Sequence, residues 1–122
     1  MPENVIGDVK NKTAILVDDI IDTAGTITEA ASLLKKYGAK DIYVLVTHPV
    51  LSGDAVKKLQ KSPIKEIFVT NTIELPKEKN IKKIKVITIA PIISETIKRD
   101  HEGTSMEVVY EKLYEKIRKK LK

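Results

Sequence analysis

The sequence of 122 residues contains no cysteine and no tryptophan. The lack of cysteine excludes a disulfide-stapled fold, a cysteine metal site and a thiol nucleophile. No apolar run approaches the ~20 residues that cross a bilayer, and the first residues lack the basic-then-apolar order of a secretory signal. From this length and composition we expect a soluble, cytoplasmic chain without a membrane partner.

Aromatic side chains are too few for a single-stranded nucleic-acid surface, although the net charge is +5. Most of that excess lies in residues 111–122, where six basic and two acidic side chains give a net charge of +4. Single-strand recognition combines a basic groove with stacking aromatic rings, and this chain has one Phe and four Tyr. We therefore expect no nucleic-acid partner, and we interpret the basic end as the solvated face of a helix.

Strand-like and helix-like segments alternate along the chain. Four short apolar runs predict strands, at 13–17, 42–46, 67–69 and 86–89. Apolar residues at helical spacing predict helices, at 26–37, 54–60 and 91–99. The alternation predicts an α/β fold with a doubly wound, mostly parallel sheet, and the continuous run at 42–46 is typical of a strand covered on both faces. The sequence does not decide whether residues 4–9 form an additional, antiparallel strand.

The end of the chain predicts one amphipathic helix. Its apolar residues recur at helical spacing, with charged residues between them: Met106, Val109 or Tyr110, Leu113, Ile117 and Leu121. We therefore divide the chain into an α/β domain over residues 1–105 and a helical extension over residues 106–122. The apolar stripe predicts packing on the chain's own domain or on a partner, and we expect a homo-oligomer.

The densest set of polar residues follows the first predicted strand. Asp18 and Asp19 come directly after the apolar run, and a small, hydroxyl-rich loop then opens a helix with Asp22, Thr23, Ala24, Gly25 and Thr26. Ligands of open α/β sheets bind at the carboxyl ends of the strands. A helix N-terminus attracts phosphate, and carboxylates accept hydrogen bonds from a vicinal diol. The pattern predicts a sugar-phosphate site, with ordinary helix capping by Asp22 or Thr23 as the alternative.

Other phosphate and metal signatures are absent from the sequence. It contains no G-x-x-x-x-G-K-[ST] loop, no G-x-G-x-x-G turn and no H-E-x-x-H pair. The only histidines are His48 and His101. We interpret His48, at a predicted strand end, as a structural residue, with a general base as the alternative.

Residues 17–26 resemble the 5-phosphoribosyl-1-diphosphate motif of the type I phosphoribosyltransferase fold. Four further stretches resemble the ribose-phosphate pyrophosphokinase family and follow the order of that family: 6–9, 47–53, 69–73, and 90–93 followed by 97–99. The resemblance implies transfer of the diphosphoryl group of ATP, with Mg2+, to ribose 5-phosphate, giving 5-phosphoribosyl 1-diphosphate and AMP. A regulatory protein of the same fold that binds a nucleotide or phosphoribosyl ligand is the alternative.

The same resemblance implies roles for individual residues. Asp18 would hold the ribose hydroxyls, Asp19 would lie near the ribose or a metal-bound water, and the loop would hold the 5-phosphate. In the family the ATP site, the metal ligands and the catalytic loop precede the matched region. We therefore expect no catalytic residue and no metal ligand here, and no activity from these residues alone. Glu107 replaces the second Ser of a regulatory Ser-x-Ser turn, where a carboxylate would repel phosphate.

Overall fold

The computed structural model describes residues 5–120 and has an α/β fold. The strands are β1 (Ala14–Ile21), β2 (Ile42–Pro49), β3 (Glu66–Thr70) and β4 (Ile84–Ile87). The helices are α1 (Gly25–Lys36), α2 (Ala55–Lys61), α3 (Ala90–Glu102) and α4 (Glu107–Lys120), and a short 3-10 helix covers Lys77–Lys79. Two compact units are present, one extending through Ile87 and the other beginning at Thr88. The domain boundary predicted after Ser105 stays a prediction.

The four strands form one sheet in the order β1-β2-β3-β4, and all neighbouring pairs are parallel. This confirms the predicted α/β class with its parallel sheet and C-terminal helix. Residues 5–9 form no strand, because Asp8 makes local bonds there: its carboxylate accepts from the Lys10 N–H, and its carbonyl accepts from Lys12 Nζ. Asn4 lies outside the described residues.

The fourth strand begins earlier than its sequence pattern predicts. It runs from Ile84, which is buried and pairs with Ile67, whereas residues 88 and 89 lie outside it. The exposed Lys85 interrupts the apolar pattern, so the start of the strand could not be recognised from hydrophobicity.

Aliphatic side chains from one face of the sheet and from two helices form the core of the first unit. The sheet contributes Ile42, Val44, Val46, Ile67 and Val69, and the helices contribute Ile27, Ala31, Ala55 and Leu59. Burial alternates along β2, where Leu45 between Val44 and Val46 is exposed. The prediction of burial on both faces of this strand is therefore wrong, because α1 and α2 pack into one core with a single set of alternate residues.

Two helix ends in the first unit are closed by specific groups. Gly38, with φ +90°, follows α1, and its N–H donates to the Lys35 carbonyl. Glycine adopts this left-handed conformation after a helix without steric strain. Lys83 Nζ donates to three carbonyls around the end of α2, those of Leu59, Gln60 and Ser62, at 3.2, 3.0 and 2.8 Å. The amine thus adds a charged donor at the helix end, where the Leu59 carbonyl also accepts from the Ser62 hydroxyl and N–H.

Candidate functional site

The two adjacent carboxylates lie inside β1, not beyond its end. The strand continues to Ile21, so Asp18 pairs with Val46 and Ile20 pairs with His48 on β2. Successive side chains of a strand point to opposite faces of the sheet. Asp18 and Asp19 therefore point away from each other, and one ligand on one face meets only one of them.

A cleft of about 220 Å³ brings Asp18 together with the loop before α1. Its polar and small lining residues are Asp18, Asp22, Thr23, Ala24, Gly25 and Thr26, and its apolar lining residues are Ile20, Ile21 and Ile27. These include all the predicted site residues except Asp19, which does not line the cleft.

The N-terminus of α1 opens onto this cleft without a capping side chain. Ala24 precedes the helix in the left-handed region, with φ 62° and ψ 8°, and no acidic residue stands in the first turn. The Thr28 N–H bonds to the Ala24 carbonyl at 3.2 Å, whereas the N–H groups before it have no partner within the helix. Neither Asp22 nor Thr23 caps α1, so the capping alternative is wrong.

A segment after β2 holds the loop in place. The Ser52 hydroxyl donates to the Asp22 carboxylate, and the Ser52 N–H donates to the Asp22 carbonyl at 3.0 Å. The Leu51 N–H donates to the Ile21 carbonyl at 3.0 Å. These three bonds fix the turn between β1 and α1, and they occupy one oxygen of the Asp22 carboxylate.

Lys58 of α2 supplies a cation beside the same loop, because its Nζ donates to the Thr23 carbonyl at 3.3 Å. Sequence reasoning did not find Lys58 or the role of Ser52. The only sequence signal for Ser52 was its place in the stretch 47–53, which resembles the family and ends just after β2.

One oxygen of Asp18 is held by the backbone, since Oδ1 accepts the Asp19 N–H at 2.9 Å. The side chain is exposed, and its second oxygen accepts no hydrogen bond from residues 5–120. An ionised carboxylate has several acceptor positions, so Asp18 can accept hydrogen bonds from hydroxyl groups in the cleft.

His48 lies at the neighbouring strand end and does not line the cleft. Its Nδ1 is 2.8 Å from the Thr72 hydroxyl. That hydroxyl and the Thr70 hydroxyl also donate to the Thr47 carbonyl, at 3.0 and 2.6 Å. This network joins the ends of β2 and β3, which agrees with the structural interpretation of His48.

No three His, Asp or Glu side chains within the described range gather closely enough to hold a metal ion. On their own, these residues therefore do not supply the three side-chain ligands of a resident metal site. Lys65 lies at the amino ends of the strands. Its pKa is raised mainly by its hydrogen bond to Asp41, and further by its interaction with Tyr43.

None of the helices over residues 5–120 is long and apolar enough to cross a membrane.

Known proteins resemble this chain in sequence and in fold. A family model described as "Phosphoribosyl synthetase-associated domain" matches residues 1–111. The chain is 56% identical over 107 residues to a ribose-phosphate pyrophosphokinase of Caldanaerobacter subterraneus subsp. tengcongensis, and 51% identical over 107 residues to one of Bacillus subtilis. Each match covers 88% of this chain and 34% of the relative.

A crystal structure of phosphoribosylpyrophosphate synthetase from Mycobacterium smegmatis matches with a TM-score of 0.78 and 44% sequence identity. This match covers 80% of the present chain and 33% of the other. The resemblance inferred from the motifs is thus confirmed, and the chain spans about one third of the length of the relatives it matches.

Proposed function

Because the chain belongs to the phosphoribosyl synthetase-associated domain family, we propose that it is the ribose 5-phosphate-binding part of a ribose-phosphate pyrophosphokinase. The observation that carries this proposal is the uncapped N-terminus of α1, which opens onto the same cleft as the Asp18 carboxylate. The cleft therefore offers donors for a phosphate and acceptors for a diol.

The 5-phosphate binds at the first turn of α1. The backbone N–H groups of Gly25, Thr26 and Ile27 are the helical donors at that end, where the helix dipole places about half a positive charge. The hydroxyls of Thr23 and Thr26 add donors, and Lys58 adds positive charge beside the loop. Asp22 contributes through its backbone, because its carboxylate is bonded to Ser52 and would repel the phosphate.

The ribose hydroxyls bind to Asp18. Its Oδ1 is already fixed by the Asp19 N–H, so the carboxylate is oriented before the sugar arrives, and its other acceptor positions receive the hydroxyl hydrogens. Asp19 supports this arrangement through its backbone and does not itself line the cleft.

In the complete reaction, ATP gives its β,γ-diphosphoryl group to the anomeric hydroxyl of ribose 5-phosphate, and AMP leaves. Bound Mg2+ would neutralise charge on the transferred group. The residues of this chain hold the acceptor sugar and limit its motion, which lowers the entropic part of the barrier. We expect these 122 residues alone to release no AMP, because the ATP site and metal ligands lie outside them by family analogy.

The alternative is a regulator that binds a nucleotide or phosphoribosyl ligand without catalysis. The Asp18 carboxylate favours a ligand with free ribose hydroxyls, because an ionised carboxylate only accepts hydrogen bonds. Tighter binding of ADP or AMP than of ribose 5-phosphate would favour the regulator.

Calorimetric titration of the chain with ribose 5-phosphate, ribose and inorganic phosphate tests the proposal. Asp18→Asn should weaken ribose 5-phosphate binding about tenfold, or about 1.4 kcal/mol, near the lower end for hydrogen bonds to a charged group. Asp19→Asn is the matched control and should change it less than about twofold. Neither variant should weaken inorganic phosphate binding, because each removes a negative charge. Equal losses in the two variants, or ribose 5-phosphate binding no tighter than inorganic phosphate, would contradict the proposal.

A further inference from the structure

The last helix, α4, carries an apolar stripe that its packing against α3 leaves partly exposed. Met106, Val109 and Leu113 line a groove of about 320 Å³ against α3. Tyr110 also lines this groove, and Tyr114 and Ile117 extend its apolar surface. The side chains of Tyr110, Tyr114 and Ile117 are 56, 64 and 46% exposed. Their spacing of four and three residues is that of a helix–helix contact.

Most of this helix lies outside the region shared with the family, because the family model ends at residue 111. Tyr114, Ile117 and the basic residues after them lie beyond that match. The exposed stripe is therefore separate from the proposed ribose 5-phosphate site.

The charges beside the stripe specify an orientation. Glu111 and Arg118 each follow a stripe residue by one position, so both lie on the same flank of the helix. No ion pair within the described residues involves α4. When two such helices pack antiparallel, the flank of one helix faces the same flank of the other. Glu111 of each copy then lies beside Arg118 of the other. In a parallel pair, opposite flanks meet, and both charges would face Met106 and Leu113.

We propose that α4 binds α4 of a second copy of this chain, antiparallel, through Tyr110, Tyr114 and Ile117. Two Glu111–Arg118 pairs flank the contact, and the acidic start of each helix lies beside the basic end of the other. The helix has 14 residues, so the contact is smaller than the ~1,200 Å² of a stable interface. The dimer is therefore weak and depends on protein concentration.

Sedimentation equilibrium of the full chain over a range of concentrations tests the pairing. The average mass should rise from 13.7 kDa towards twice that value, and Ile117→Lys should abolish the rise. Val108→Lys is the matched control, because the same change is made at an apolar residue on the opposite side of α4, and it should leave the rise unchanged. A mass that stays at 13.7 kDa up to about 1 mM, or a rise that Ile117→Lys does not affect, would overturn the proposal.

A charge-reversal cycle tests the orientation. Glu111→Arg or Arg118→Glu alone should weaken association at least about tenfold, because two attractive contacts become repulsive. The double variant Glu111→Arg/Arg118→Glu should restore it, since the two pairs are then re-formed with reversed sign. Single variants that associate as the original chain does, or a double variant that stays monomeric while its circular dichroism shows intact helix, would overturn the antiparallel arrangement.

Discussion

Gly25 is the residue where fold stability and ligand binding make opposite demands. It is the first residue of α1 and its φ lies outside the left-handed region. A Cβ built there has no neighbour closer than the Thr23 hydroxyl oxygen, at 4.0 Å. The fold itself therefore does not need glycine at this position, whereas a phosphate that approaches the first-turn N–H groups would meet the added methyl group.

Gly25→Ala should consequently stabilise the chain and weaken phosphate binding. Glycine inside a helix costs about 0.5–1 kcal/mol relative to alanine, and at the first helical residue we expect the lower value. A gain of about 0.5 kcal/mol corresponds to a rise in Tm of about 2–4 °C for a domain of this size. Thermal unfolding followed by circular dichroism measures the first effect. Calorimetric titration measures the second, a loss in ribose 5-phosphate affinity of about tenfold or more.

Gly38→Ala is the matched control in the cap of the same helix. Its φ is +90°, and the added Cβ would lie 3.3 Å from Lys10 Cγ and 3.7 Å from Lys10 Cα. This change should lower stability by more than about 1 kcal/mol and leave the ligand affinity of the folded protein unaltered. A destabilising Gly25→Ala would contradict the statement that the fold does not need glycine at this position. A Gly25→Ala variant that bound ribose 5-phosphate as tightly as the original chain would refute the assignment of the phosphate to the first turn.

Two further substitutions test the contacts around the sheet. Ser52→Ala removes the hydroxyl donor to Asp22 and should lower ribose 5-phosphate affinity about threefold to tenfold by calorimetry, because the freed carboxylate can turn towards the phosphate; unchanged affinity would contradict this role. Lys83→Met removes the donor to three carbonyls after α2 and should cost about 1–3 kcal/mol in urea unfolding. The exposed Lys82→Met should change stability by less than about 0.5 kcal/mol, and equal effects of the two lysine changes would argue against the cap.

Local sequence patterns predicted the order of strands and helices, because each strand or helix can be recognised from residues that are close together in the sequence. The spacing of Ile27 and Ala31 predicts the buried side of α1, and Gly38 marks its end. The start of β4 was missed because Lys85 occupies an exposed position on a short strand. Burial on one face of β2 could not be deduced from a continuous apolar run, since it depends on which helices pack there.

The loop of the candidate site could be predicted from the sequence, whereas the residues that hold the loop in place could not. Residues 22–26 and Asp18 are contiguous enough for a motif to reveal them. Asp19 was expected at the site because β1 was expected to end before it and because the family resemblance implied a place near the ribose or a metal-bound water. The strand instead continues to Ile21, and the role of Asp19 stays a prediction. Ser52 and Lys58 contact the loop from 30 and 35 residues away, and no local pattern encodes such pairings.

Binding of the 5-phosphate at the first turn of α1 can be observed through amide resonances in ¹⁵N NMR spectra during addition of ribose 5-phosphate. The largest shifts should occur at Gly25, Thr26 and Ile27, with a smaller response at Asp18. Shifts concentrated instead at Lys36 and Lys61, in the lysine-lined groove between α1 and α2, or a spectrum unchanged by the ligand, would contradict it.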